Sequence, residues 1–281
     1  DGTRYLGSFD SGNRHGLGHH KSHNGSYNGH WAMDTPHGHG EFTYNDGATY
    51  IGEWSGGRQD GEGIYCHPNG NRYDGQWHQG VPHGHGTMSE PDGKSYSGEW
   101  LSGARTGYGR LTTRSGTTYE GTWHSDQRHG FGLESYADNS QYKGEWANDQ
   151  RNGEGRAQVP NRFEHEGNWE NNISLGPGTR SYTTGVEITG IWNSDSVSSG
   201  ILKLPSGNEY AGDLYDNDNA VVSPLLLAWL TKTASANDGH AQLLLGDAYS
   251  KHEAPKPNLN QAKKWYQQAA KAGIAEAQYE L

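Results

Sequence analysis

Tyr50-Ile51-Gly52-Glu53-Trp54, with Gly61-Glu62-Gly63 beginning eleven residues after Tyr50, is one copy of a unit that the chain repeats. Tyr recurs at Tyr27, Tyr50, Tyr73, Tyr96, Tyr119 and Tyr142, every 23 residues, and the paired Trp are Trp31, Trp54, Trp77, Trp100, Trp123 and Trp146. Trp169 and Trp192 extend the grid, and degenerate copies at Tyr5 with Phe9, His165, Ile188, and Tyr210 with Leu214 bring the count to ten. Tyr, Gly and Trp at i, i+2 and i+4 share one face of a strand, because strand side chains alternate. Just before most of the Tyr stands Asp46-Gly47, Asn69-Gly70, Asp92-Gly93 or Ser115-Gly116, and such dipeptides supply the positive φ of two-residue hairpin turns. Each unit therefore reads as a hairpin. Gly beside the rings lets neighbouring copies cover one another, so stability is a sum of nearest-neighbour contacts.

The composition needs such a pattern. The 281 residues carry a formal net charge of −11, and only 35 of them are Leu, Ile, Val or Phe. So small an aliphatic share belongs to disordered chains, yet 10 Trp and 17 Tyr do not. An ordinary single-core globule is excluded. No apolar run approaches the roughly 18 residues that signal a membrane-spanning helix. No signal peptide is visible, and Asp1 in place of Met leaves processing or trimming open. A lone Cys66 excludes an internal disulfide framework and a cysteine-rich zinc site. Its grid counterparts Thr43, Ser89, Thr112 and Ser135 mark a slot for small residues.

The registered copies resemble the membrane occupation and recognition nexus (MORN) repeat over about residues 1–219. The resemblance implies an elongated, twisted β-meander with an aromatic-lined groove, in a family associated with protein assembly, dimerisation and sometimes phospholipid contact. His165, Ile188 and Leu214 replace aromatics in copies eight to ten, which reads as the atypical end repeats that cap solenoids. A weaker period of 46 places His37, His83 and His129 in alternate copies, with Asp60, Thr106 and Asn152 between them. Duplication of a two-copy cassette explains it.

After Asn219 the glycine spacing stops. Ser223-Pro224 reads as an N-cap with Pro at the first helical position, and the apolar helix that follows would cover the last edge strand. Residues 1–220 hold 16 basic and 28 acidic residues, net −12, and residues 221–281 hold 6 and 5, net +1. Within 237–281, Ala241 to Gly246 begins one helix, and Ala262 to Ala270 forms another that Gly273 ends. Ala277 to Leu281 echoes Ala241 to Leu245 at a spacing of 36. This segment resembles one SEL-like repeat, a relative of the tetratricopeptide hairpin. The chain stops inside the next copy, so a longer natural protein is expected, and the resemblance leans towards a bacterial cell-envelope or assembly protein. The expected architecture is mainly β: an elongated single-sheet antiparallel meander of about ten 23-residue hairpins over 1–219, a capping helix and linker over 220–236, and a small helical repeat segment over 237–281.

Histidine is the first candidate for chemistry. His15, His19, His20 and His23 are the best metal ligands available, but His37 and His83 stand two copies apart, roughly 19 Å, and cannot share an ion. The reading expects structural or solvated histidines and no resident metal or cofactor. Glu53, Glu99 and Glu145 are similarly about 19 Å apart, too far for paired acid–base work, and read as solvated sheet edges. No catalytic or phosphate-loop motif appears, and the Gly-x-Gly pairs never extend to a dinucleotide fingerprint. The aromatic column is both scaffold and candidate surface: Tyr50, Trp54, Tyr73, Trp77, Tyr96, Trp100, Tyr119 and Trp123 are the groove candidates for a partner.

The expected function is therefore a non-catalytic protein–protein interaction scaffold, with protein partners. The alternatives are a lipid- or glycan-binding module at a membrane or cell wall, and the targeting part of a larger enzyme. The net −12 of the repeat section opposes binding to anionic lipid, which histidine protonation near pH 5–6 would soften, and it opposes nucleic acid. The oligomeric state is not legible.

Overall fold

The computed structural model describes residues 3–194, 196–216, 221–250 and 258–280. The chain is mainly β: nineteen strands make an open antiparallel sheet that runs as a meander, and a few short helices follow. The strands are β1 (Arg4–Asp10), β2 (Asn13–Ser22), β3 (Gly25–Ala32), β4 (Thr35–Tyr44), β5 (Thr49–Ser55), β6 (Arg58–Cys66), β7 (Arg72–His78), β8 (Val81–Ser89), β9 (Ser95–Leu101) and β10 (Ala104–Thr112). Then come β11 (Thr118–His124), β12 (Gln127–Ser135), β13 (Gln141–Ala147), β14 (Gln150–Val159), β15 (Phe163–Glu170), β16 (Ile173–Tyr182), β17 (Glu187–Asn193), β18 (Ser196–Lys203) and β19 (Glu209–Asp213). The chain divides into two compact units, Asp1–Ala137 with Trp146–Asp149, and Asp138–Glu145 with Gln150–Leu281. In the first unit β1 to β11 each pair with the next strand, ending at β12. In the second, β14 to β18 do the same, ending at β19.

Strand alternation sets the core. In β5, Tyr50, Gly52 and Trp54 are buried while Ile51 and Ser55 are exposed. Glycine meets glycine across strands, Gly52 against Gly63 and Gly63 against Gly75. Tyrosine fills the space these glycines leave: a Cβ on Gly63 would lie 2.2 Å from Tyr50 Oη. The Tyr50 hydroxyl donates to Glu53 O at 2.9 Å. Each such ring meets two tryptophans edge to face, as Tyr50 meets Trp54 and Trp77 at 5.2 Å between centroids, contacts worth about 0.5–1.5 kcal/mol beyond area burial. Trp77 Nε1 donates back to Gly63 O at 3.0 Å. Each copy is thus held to its neighbours and not to a common centre.

The turns differ from the sequence reading. Two-residue turns sit just after Trp, not just before Tyr: Met33-Asp34, Gly56-Gly57, Gln79-Gly80 and Ser102-Gly103 have positive φ at both residues, the condition for a type I′ hairpin turn. At Asp46-Gly47 only the glycine has positive φ, +88°. There Gly47 N–H donates to Tyr44 O and Tyr44 N–H to Ala48 O, a type I turn closed by a glycine bulge. Asp46 Oδ1 accepts from Ala48 N at 2.9 Å and fixes the loop.

Among the described residues nine hairpins form, not ten. Among the described residues the last copy adds β19 to the large sheet, while β20 (Tyr215–Asp216) pairs with β21 (Val221–Val222) in a separate two-stranded sheet. The boundary expected at 219–220 lies outside the described residues. Helix α1 (Pro224–Ser235) begins as the sequence directs, with Pro224 in its first turn and Ser223 Oγ accepting from Leu226 N at 3.1 Å. Leu226 and Leu230 share a buried cluster with Trp192, Val197, Leu202 and Leu214, and the Trp229 ring meets Tyr210 at 5.7 Å. Helices α2 (Gly239–Ser250), α3 (Leu259–Lys271) and α4 (Glu276–Tyr279) follow. Gly273, at φ +88° just past the Ala272 C-cap, ends α3. Leu281, the last residue of the expected second helical copy, lies outside the described residues.

Candidate functional site

The aromatic column is core, not groove wall. Tyr50, Trp54, Tyr73, Trp77, Tyr96, Trp100, Tyr119 and Trp123 are all buried, from 0% exposed at Tyr50 to 8% at Trp77. Their rings face one another, so little ring surface is left for a partner. Burial pushes the Tyr27 and Tyr96 hydroxyls up to about 12 and raises those of Tyr50, Tyr73, Tyr119 and Tyr142 as well.

Arginines close the column further. The Arg105 guanidinium carbon lies 4.3 Å from the Trp123 centroid, and that of Arg128 lies 4.2 Å from Trp146. The turn of the following copy holds each arginine. Arg105 N and Nε donate to Asp126 Oδ1 at 3.0 and 2.9 Å, and Nη2 donates to Asp126 O at 2.7 Å. Arg14 with Asp34 and Arg128 with Asp149 repeat the clamp. In the copies between, Pro36, Gln59 and Pro82 stand where arginine would; the backbone tie persists, as Gly57 N to Pro36 O at 3.0 Å, and in the Gln59 copy Arg58 Nη1 donates to Gln79 Oε1 at 3.0 Å and Gln79 N to Asp60 Oδ2 at 3.2 Å.

The opposite face carries the accessible side chains. The middle residues of the Gly-x-Gly pairs in the first unit, Leu17, His39, Glu62, His85, Tyr108 and Phe131, are all exposed. Strand pairing sets them in one row with their partners: Leu17 opposite His30, His39 opposite Glu53, Glu62 opposite Gln76, His85 opposite Glu99, and Tyr108 opposite Thr122. A bulge presents each of them. In β5–β6, Gly52 pairs with Gly63 and Trp54 with Gln59, so Glu53 alone faces Asp60, Gly61 and Glu62. In the next copies the residue in Glu53's place accepts the amide of the exposed residue, Gln76 Oε1 from His85 N at 2.9 Å and Glu99 Oε1 from Tyr108 N at 2.8 Å. Glu99, read from sequence as a solvated edge, is a main-chain acceptor. Tyr108 Oη donates to Glu120 at 2.9 Å, a bond that raises the phenol's pKa. Glu62, Asp74, His85, Glu99, Tyr108 and Arg110 border a polar groove of about 620 Å³ floored by glycine backbone. The signal in the sequence was the residue between the two glycines.

The four amino-terminal histidines do not converge. His19 and His20 are consecutive in β2 and so face opposite ways. His20 packs against Trp31 at 5.6 Å, and burial first, then Arg14 and His19, lowers its pKa. His23 lies in the turn before β3, and His15 precedes the bulge glycine Gly16. Among the described residues no group of three or more His, Cys, Asp or Glu is placed to hold a metal ion.

The MORN repeat model matches residues 5–26, 27–49, 50–72, 73–95, 96–118, 119–141, 142–161 and 165–187. That is eight copies, and the match leaves the helices outside it. No curated protein matches the chain in sequence. Among solved structures, the TCP domain of Drosophila melanogaster SAS-4 (dCPAP), solved with a proline-rich motif of Ana2 (dSTIL), aligns over 54% of this chain and 84% of its own, at 14% identity and a TM-score of 0.36. The G-box domain of the microcephaly protein CPAP aligns over 74% of this chain and 97% of its own, at 12% identity and a TM-score of 0.28.

Proposed function

The chain belongs to the MORN repeat family, and on that premise we propose that it is a non-catalytic protein-interaction scaffold whose partner lies along the Gly-x-Gly row. The observation that carries this reading is the exposure of large side chains at one repeated position, Leu17 at 64%, Tyr108 at 55% and Phe131 at 56%. The glycines and buried rings of each copy build the sheet. The residue between the glycines is free to differ, and it runs Leu, His, Glu, His, Tyr, Phe across the first unit. Aromatic side chains on a rigid support give contact area at low entropic cost. The net −12 of residues 1–220 favours a basic partner and disfavours anionic lipid and nucleic acid. We read the α2–α3 hairpin as one SEL-like unit, on the echo of Ala241–Leu245 at 277–281 and on the packing of Leu243 with Ala262, Tyr266 and Ala269.

The test is affinity capture with the full chain, then titration of the recovered protein against wild type and a Tyr108→Ser/Phe131→Ser variant. Both positions are exposed, so the variant keeps the wild-type circular dichroism spectrum. Its affinity should fall more than tenfold, about 1.4 kcal/mol. Unchanged affinity defeats the assignment of the row, and recovery of a polysaccharide or lipid in place of a protein defeats the scaffold reading.

A further inference from the structure

The second unit turns one exposed face apolar. On the side of the sheet away from the buried rings, Leu175 and Pro177 of β16, Ile191 of β17, Ile201 of β18 and Ala211 of β19 are all exposed, Ile191 at 58%. Strand pairing gathers them: Pro177 stands opposite Ile191, and Ile201 opposite Ala211. The fold does not ask for these residues. Leu175 occupies the position of His37, Asp60, His83, Thr106, His129 and Asn152 in earlier copies, and Ile191 that of Glu53, Gln76, Glu99 and Thr122. The same sheet forms there with polar side chains at both positions. A cluster of apolar residues that leaves the sheet no better packed marks a surface that meets something else.

Acidic side chains frame the patch. On the same face stand Glu166 and Glu170 of β15, Glu187 of β17, and Glu209 and Asp213 of β19. Lys203 lies opposite both Glu187 and Glu209, and Arg156 donates to Glu164, so negative charge prevails around the apolar residues. β16, β17 and β18 each pair on both sides, so their backbone groups are engaged within the sheet. An occupant of this face must satisfy its own backbone, as a helix does. We propose that the patch docks an amphipathic helix of a partner protein, its apolar stripe on Leu175, Ile191 and Ile201 and its flanking Lys or Arg heads among the carboxylates. The stems of such cations add apolar contact while their heads reach the acids, and opposite charge selects the partner. From β16 to β19 is roughly 14 Å at about 4.8 Å per strand, which about three helical turns cover. This surface lies in the second unit and does not depend on the assignment of the row in the first.

The experiment titrates the full chain by calorimetry with a leucine–lysine peptide of about 14 residues, roughly 21 Å as a helix, whose leucines share one helical face, and with its leucine–glutamate counterpart. The lysine peptide should bind saturably and gain helical circular dichroism on binding, and the glutamate peptide should bind at least tenfold more weakly. Ile191→Asn/Ile201→Thr installs the residues that the preceding copy carries as Asn168 and Thr179. It should weaken the lysine peptide more than tenfold with the protein's own spectrum unchanged. Leu175→Asn makes the same test should the double variant not fold. Tyr108→Ser/Phe131→Ser, in the row of the first unit, should bind the peptide as wild type does, so failure of the patch and failure of the row are separate results. Equal binding of the two peptides overturns the role of the carboxylates, and binding without a gain of helix overturns the helical occupant. Affinity that survives the patch variants, an equal loss in the row variant, or no saturable binding overturns the site.

Discussion

Gly61 takes φ +102° where three residues of β6 face Glu53 alone, whereas Gly63, two positions on, lies outside the left-handed region and is denied a side chain by Tyr50 Oη. The first glycine answers to the backbone and the second to the core. Gly63→Ala should therefore destabilise the protein by overpacking, about 1–3 kcal/mol, read as a lower urea midpoint. The tyrosine that occupies the space gives a second expectation at this scale. Burial raises the phenol pKa of Tyr27 and Tyr96 to about 12 from the ordinary 10.0 and raises four further members of the column. A raised folded-state pKa means a contribution that is whole below pH 10.0 and lost as pH rises through about 12. Phenolate absorbance from these rings should appear together with loss of the β-sheet circular dichroism signal in that window. Phenolate appearing well before unfolding would show the rings to be accessible. The sequence displayed the glycine pair plainly but not its division of labour, because the bulge that separates the two roles is a property of strand pairing.

Hairpins and helices meet through single polar groups that are far apart in sequence. Asp238 is the clearest: Oδ1 accepts from His240 N and Ala241 N at 3.0 Å at the start of α2, and Oδ2 accepts from Asn208 Nδ2 at 2.8 Å in the β18–β19 loop. Burial tends to raise its pKa, but the bonds from Ser206, Ala241, Asn208 and His240 outweigh it and the net shift is downward. Asp238→Ala should cost about 1 kcal/mol, the usual loss for a helix cap, measured by thermal unfolding at neutral pH. A carboxylate with a lowered pKa stabilises above its ordinary 3.8 and loses that effect as pH falls below it, so wild type and variant should converge in acid. The hairpins themselves were legible at this scale, since alternation of Tyr, Gly and Trp admits one reading. The turns were not. Met33 and Gln79 adopt positive φ at 47° and 51° with no residue preference to announce it, because the hairpin's twist imposes the conformation. The Arg105–Asp126 clamp escaped notice because Pro36, Gln59 and Pro82 interrupt its recurrence.

For the whole chain, a repeated unit with only neighbour contacts should tolerate removal of one copy. Deleting 73–95 brings Gly63 opposite Gly98 and Tyr50 beside Trp100, the same relations that Gly63 has with Gly75 and Tyr50 with Trp77. That deletion should leave a folded protein, whereas deleting 72–80, a single strand with its turn, reverses strand polarity and should not; circular dichroism and tryptophan emission separate the two. At this scale the aromatic ladder was readable as architecture, and the burial of its rings was not. Composition gives the number of rings, but only the register shows that each Tyr lies between two Trp. The exposed row is harder to see still, since Leu17, His39, Glu62, His85, Tyr108 and Phe131 share no chemistry, only a position. The indole bonds have one more consequence. Each runs back a single copy, Trp54 Nε1 to Gly40 O, Trp77 Nε1 to Gly63 O and Trp100 Nε1 to Gly86 O, so tension applied from the β1 side would peel hairpins away one after another. Every release would pay out 23 residues of thread, roughly 80 Å at full extension. The force trace would be a comb of even teeth, and the molecule a spring whose travel is counted in copies.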